Sequence, residues 1–300
     1  MSIPFQRDVS FEYAQIQPMT PMIRRIVARN PGHFTFHGTG TYILGHGQVA
    51  VIDPGPDLPE HIDAVLSALS GETITHQIVT HTHRDHSPAC RALSDATGAP
   101  TYAYGPHGSG RYERGVQVEE GGDMDFVPDH EMRHGDRIEG QGWQLECVYT
   151  PGHTSNHMCY RFAGEKVLFS GDHVMGWSTS IISPPDGDMR RYLASLKLLL
   201  DAEVDDEIYW PTHGPCIRDP KPFVRAYIEH RDERIAQILE CLGDGLRRIQ
   251  DMVPLMYRDL PEIMYPAAAR SVLSSLIYLY EEERVGCVEE PGIEAEFYLR

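Results

Sequence analysis

The hexapeptide His81-Thr82-His83-Arg84-Asp85-His86 brings three imidazoles and one carboxylate into six residues. On an extended strand end His81 and His83 project to the same side, because side chains alternate along a strand. A turn after them can swing Asp85 and His86 into the adjacent space. Imidazole nitrogen and carboxylate oxygen are the donors zinc takes at catalytic sites. Three further donors of the same kind stand downstream: His153 in TPGHT, Asp172 in SGDH and His213 in PTHG. An incidental surface histidine cluster would not need such partners. The pattern predicts a single metal centre assembled from four chain segments.

Each of those segments follows strand-like sequence, and strand ends are where α/β sheets place their chemistry. Residues 74–80, ITHQIVT, run into His81. WQLECVYT (143–150) precedes His153, KVLFSG (166–171) precedes Asp172, and EIYW leads to His213. A further strand is expected at 157–162. Residues 41–53 read as two short strands around a Gly-His-Gly turn. Helical spacing of Ile62, Val65, Leu66 and Leu69 predicts a helix after PGPDLPEH. A second helix is expected over 88–97, stopped by Gly98 and Pro100, and a third over 189–200. Residues 105–137, rich in Gly, charge and His, read as an irregular insertion that overhangs the site.

Past residue 218 the character changes. Asp219-Pro220 is an N-cap followed by proline at the first helical position. A long amphipathic helix runs from there to Gly243. Helical segments at about 245–257 and 266–284 follow, then a hairpin turning at Pro291-Gly292. Three helices and a hairpin make a winged-helix-like arrangement. Two domains are therefore expected, 1–218 and 219–300.

The motifs HTHRDH, TPGHT, SGDH and PTHG, in that order, resemble the metallo-β-lactamase superfamily over roughly residues 25–218. VAVIDPGP (49–56) is similar to the family's early Asp-Pro-Gly strand end, with Asp53 as a supporting residue. The resemblance implies an α/β fold, an αββα sandwich with the site along one edge. By position, His81, His83 and His153 would hold one metal; Asp85, His86 and His213 a second; and Asp172 would bridge both. It implies two divalent ions, zinc first, with iron or manganese accepting the same donors. Two ions about 3.5–4 Å apart can share a water and lower its pKa towards 7. Asp85 would orient that hydroxide as well as bind metal, and Asp53 would fix a ligand's tautomer. A proton donor for the leaving group is not assigned; His157 and His173 read as structural.

One motif competes. His130-Glu131-Met132-Arg133-His134 matches HExxH, which needs both histidines on one face of a stable helix. Pro128-Asp129 before it and Gly135-Asp136 after it leave no room for that helix, so a loop is expected.

Segments 30–45, 211–220 and 230–239, with the tail, resemble the lactamase-beta-2-like branch of the superfamily, some animal members of which cleave single-stranded RNA. Composition bears on the substrate. With 44 acidic against 26 basic residues the chain carries −18, a field that repels nucleic acid. The third tail helix ends in Glu281, Glu282 and Glu283, and the wing adds glutamates at 289, 290, 294 and 296. The reading is a hydrolase whose dinuclear-site hydroxide attacks an ester, thioester or lactone of a small molecule, similar in chemistry to glyoxalase II. The alternatives are a single-strand endoribonuclease or phosphodiesterase, with RNA as partner, and a non-enzymatic DNA-binding regulator. The tail would serve for packing or for homodimer formation. Arg84, Tyr102, Tyr104, His107, Arg111 and Trp177 are weaker candidates for substrate contact. No stretch of roughly 20 apolar residues suggests a membrane span. The N-terminus has no basic start followed by an apolar run, so the expected location is the cytoplasm. Six scattered cysteines read as reduced thiols.

Overall fold

The computed structural model describes residues 3–109 and 121–300. Its first sheet holds seven strands adjacent in chain order: β1 (Gln17–Pro18), β2 (Ile23–Val27), β3 (Gly40–Leu44), β4 (Gln48–Ile52), β5 (Thr73–Ile78), β6 (Thr101–Ala103) and β7 (His130–Glu131). Pairing is antiparallel from β1 to β4 and parallel from β4 to β7. The second sheet holds β8 (Arg137–Gly140), β9 (Trp143–Tyr149), β10 (Met158–Phe162), β11 (Val167–Gly171), β12 (Ile208–Pro211) and β13 (Ile217–Arg218). Only β11 and β12 run parallel there.

Period-two patterning builds the layers. Tyr42, Leu44, Ala50 and Ile52 of the first sheet meet Leu145, Cys147, Val167 and Phe169 of the second in the central core. Their neighbours Ile43, Val49 and Val51 face outward under α1 (Pro59–Ala68) and α2 (Ala89–Thr97). On the opposite side Val148 and Leu168 face α3 (Met189–Asp201) and the first half of α4 (Pro220–Gly243). The result is the expected αββα sandwich.

Helix α4 is shared. Phe223, Val224 and Tyr227 belong to the core over the second sheet, whereas Ile235, Ile238 and Leu242 belong to a separate C-terminal cluster. That cluster is completed by α5 (Ile249–Met256), α6 (Tyr265–Glu281) and the hairpin of β14 (Val285–Cys287) and β15 (Phe297–Leu299). Two local expectations change. Asp219 precedes Pro220 as foreseen, but at φ 54° its side chain makes no capping bond; its backbone N–H is drawn instead to the Glu207 carbonyl. The final hairpin is joined by a long connection, residues 288–296, rather than a tight turn at Pro291-Gly292.

The HExxH segment is no helix. His130 and Glu131 are extended in β7, His130 stacks on Tyr102, and Gly135 turns the chain at φ 85°.

Candidate metal centre

Five strand ends converge at one edge of the sandwich. β5 delivers residues 81–86, the β9–β10 turn delivers His153, and β11, β12 and β4 deliver Asp172, His213 and Asp53. His83 Nδ1 lies 2.9 Å from His81 Nε2 and 3.2 Å from His153 Nε2, so three imidazole nitrogens face one point. Asp85, His86 and His213 form a second group: Asp85 Oδ2 is 3.3 Å from His86 Nε2 and 3.1 Å from His213 Nε2. Asp172 Oδ2 stands between the groups, 3.6 Å from His86, 3.4 Å from His213 and 3.8 Å from His153. Within each of three overlapping triads the donor atoms lie within 4.8 Å of one another. All seven residues singled out from the sequence meet here.

The other ring nitrogens are engaged, and this orients the donors. His86 Nδ1 is 3.0 Å from Asp53 Oδ2 and donates to it. His153 Nδ1 donates to the Ile181 carbonyl at 2.7 Å, and His213 Nδ1 to the Gly38 carbonyl at 3.2 Å. Asp53 is itself locked at 2.8 Å by the Thr80 amide, the Thr80 hydroxyl and the Thr212 hydroxyl. Thr39 donates to Asp85 Oδ2 at 2.9 Å. These three threonines escaped sequence reading, although two of them immediately precede a donor histidine. Gly152, in TPGHT, has φ 142°, and a Cβ there would lie 2.3 Å from the Tyr192 backbone; the His153 turn needs glycine to sit so close to α3.

The residues fit metal ions. His86 Nε2 and Asp172 Oδ1 are buried with no hydrogen-bond partner, a costly arrangement unless something else occupies them. Burial, reinforced by neighbouring imidazoles, holds His81 and His83 well below the usual histidine range, so both are neutral donors. Burial would raise the carboxyls of Asp85 and Asp172, but the imidazoles of His86 and His213 outweigh it and keep both ionised. For His213, burial opposes protonation, yet Asp172 and Asp85 lift its pKa to about 10. His81 and His83, neutral beside the ionised Asp85 and Asp172, are donors a divalent cation can take directly, whereas His213 must give up its proton to serve as one.

The weaker candidates separate. His157 is buried; its Nε2 accepts from the Asp172 amide at 3.2 Å, so Nδ1 donates to Thr150. Burial lowers His157, and lowers His173 to about 3, which suits packing rather than proton donation. Arg84 is exposed and binds the Gly122 carbonyl at 3.3 Å. Tyr102 packs between His76 and His130, and Tyr104 stacks on Tyr149. His107 is buried against Thr82. Arg111 and most of the 105–137 insertion's first half lie outside the described residues. Trp177 lines a cleft whose floor includes His153 and Asp172, and stacks on Phe36 at 4.6 Å. All six cysteines are free. Among the described residues no helix is long and apolar enough to cross a membrane.

A model of the metallo-beta-lactamase superfamily matches residues 35–213, and one of the beta-lactamase associated winged helix domain matches residues 249–290. The lactamase-like protein adaB of Aspergillus niger is 28% identical over 295 residues, spanning 93% of this chain and 86% of its own. A beta-lactamase-like protein 2 homolog of Caenorhabditis elegans is 30% identical over 288 residues, spanning 93% and 90%. The crystal structure of a beta-lactamase domain protein from Burkholderia ambifaria superposes with a TM-score of 0.80 at 17% identity, over 98% of this chain and 96% of that one. This chain belongs to the metallo-beta-lactamase superfamily, as a hydrolase of that fold bearing the associated winged helix domain.

Proposed function

We propose that the protein hydrolyses an ester, thioester or lactone of a small molecule, consuming one water and releasing an acid with an alcohol or thiol. The observation that carries this is the convergence of seven His and Asp donors, two of which, His153 and Asp172, line a cleft of about 360 Å³, the size range of small-molecule sites. In this reading His81, His83 and His153 hold one divalent ion, Asp85, His86 and His213 a second, and Asp172 reaches both. When bound, such ions, with zinc the first choice, supply Lewis acidity that makes water nucleophilic near neutral pH and polarises the acyl oxygen.

The chain's own residues do the rest. Asp85 has the most solvent contact of the seven, with 18% of its side chain exposed, and would accept a hydrogen from the incoming water and aim it. Asp53 keeps His86 Nε2 turned inward. Trp177 and the 175–181 segment wall the cleft against solvent. The division at about residue 219 belongs to this proposal, with the C-terminal unit forming one wall of the cleft rather than a nucleic-acid reader. Glu289, Glu290 and Glu294 are exposed on the wing, and Arg248 is already paired with Glu296; phosphates would be repelled there.

The test is the zinc-loaded protein assayed on thioester and lactone panels beside fluorogenic single-stranded RNA, with an Asp85→Ala/His86→Ala double variant as control. Thioester or lactone turnover lost in the variant is expected, by at least about a hundredfold if hydroxide delivery goes with it. RNA cleavage lost in the variant would transfer the assignment to a phosphodiesterase. Turnover that survives the variant would sink the site.

A further inference from the structure

The cleft above the metal ligands has the opposite sign of charge to the chain that forms it. The protein carries −18, yet Arg7, Arg231 and Arg234 line the cleft, and among its described lining residues the carboxylate is Asp172. Low-dielectric walls with one sign of charge focus the field on a ligand of the other sign.

Among the described residues none of these arginines has the carboxylate partner an acidic protein could easily supply, and two of them are withdrawn from water. Arg231 is 4% exposed. It donates to the Ser180 carbonyl and lies over the Tyr192 ring, while its Nε is buried with no hydrogen-bond partner. Arg234, three residues on and therefore on the same face of α4, donates to the Met256 carbonyl and to Gln237 and lies 4.3 Å over Tyr257. Neither is within ion-pair distance of a carboxylate among the described residues. Withdrawing a guanidinium from water without a counter-charge is costly, and the cost is removed if an anion enters the cleft. Arg7 is exposed on the N-terminal segment and also unpaired among the described residues. The lining also has an apolar part, which includes Trp177, Tyr257, Leu260 and Met264.

We infer that the substrate is an organic anion, its ester or thioester carbon at the metal ligands, its apolar body against Trp177 and Tyr257, and its carboxylate or phosphate held by Arg234 and Arg7. This rests on the hydrolase reading of the centre. Arg234 and Arg7 then determine specificity, and Arg231 backs them from within the wall. A charge-assisted hydrogen bond is about twice as strong as a neutral one, so the anionic end contributes mainly to selection between substrates.

Calorimetric binding to the full chain, metal-free and zinc-loaded, tests this with stable probes: N-acetyl-6-aminohexanoate, its uncharged N-methylamide, and 6-acetamidohexyl phosphate. One or both anions should bind at least about tenfold more tightly than the amide. An Arg7→Gln/Arg234→Gln variant should lose that preference, and exposed Arg225→Gln, the same charge change elsewhere on α4, should keep it. If the double variant melts early, Arg7→Gln alone, at an exposed site, reads the same loss in part. Whichever anion is preferred assigns the carboxylate or phosphate class. Equal binding of all probes, or a preference that survives the double variant, overturns the inference. Matching thioesters separate the two readings. Equal hydrolysis of charged and neutral tails overturns the anion site and leaves the reaction standing; no hydrolysis of either, with the binding preference intact, overturns the reaction and leaves the anion site standing.

Discussion

Asp53 shows what a single residue does in this centre. It belongs to none of the candidate donor triads, yet it takes four donors: two from Thr80, one from Thr212 and one from His86. Three strand ends, those of β4, β5 and β12, are thereby tied to one carboxylate. Replacing it with Asn puts an N–H group where only acceptors fit, and at least one of the four bonds must break. Residues that orient a metal-bound histidine typically change affinity by about 10–100-fold when altered. Asp53→Asn should therefore weaken zinc binding by about that factor in competition with a chromophoric chelator, with the folded far-ultraviolet spectrum retained. An unchanged affinity would mean that packing alone orients His86. The seven donors and Asp53 were legible in the sequence because each sits in a short motif at a strand end. Thr39 was not, because its bond to Asp85 spans 46 residues and nothing near it in sequence marks it. Tyr102 and Tyr104, aromatic residues beside the insertion, stack on His130 and Tyr149, pairings that no local spacing announces.

At the scale of elements, α4 acts on the site through the loop that follows Asp172. The Tyr227 hydroxyl accepts from the Met175 amide at 3.0 Å and has the carbonyls of Met175 and Ser178 at 2.6 Å to donate to. Arg231, one helical turn further, holds the Ser180 carbonyl, while the Ser180 hydroxyl bonds the His173 carbonyl at 3.0 Å and the Asp172 carbonyl. The next residue, Ile181, offers the carbonyl that orients His153. A helix placed in the tail by sequence thus sets the position of two candidate metal ligands. Tyr227→Phe leaves buried backbone groups of Met175 and Ser178 short of a partner, a loss of about 1–3 kcal/mol. The expected outcome is a lower thermal midpoint together with faster zinc release to a chelator. A lower midpoint with unaltered release would confine α4 to a packing role. The amphipathic pattern of 220–243 announced the helix; it did not announce the clamp, since hydrogen bonds to loop carbonyls leave no periodic trace.

For the whole molecule, the question is whether the catalytic unit stands without its tail. Sequence placed a division near residue 219, where Asp-Pro marks a helix start, and the matched winged helix segment begins only at 249. Helix α4 lies between those positions and feeds both cores. Phe223, Val224 and Tyr227 are at most 7% exposed and pack with Tyr192, Leu196 and Leu168 over the second sheet. Burying each is worth about 2 kcal/mol, so their loss removes roughly 6 kcal/mol from a fold whose total stability is typically about 5–15 kcal/mol. A chain ending at residue 218 is therefore expected to melt without cooperativity and to bind zinc weakly. One ending at residue 243 should keep the sandwich and the metal centre while exposing Ile235, Ile238 and Leu242, and should need a solubilising change there. The second chain would also lack Tyr257, Leu260 and Met264, hence one wall of the cleft, and should lose selectivity between substrates more than it loses zinc. Calorimetric melts and zinc titrations of the two truncations decide the matter. A cooperative, zinc-binding 1–218 would make α4 an accessory to the catalytic unit; failure of 1–218 alone would make the helix part of that unit. This last property is one the sequence could not display, because the cleft gathers residues near 7, 33, 177, 231 and 260 whose proximity exists only in the fold.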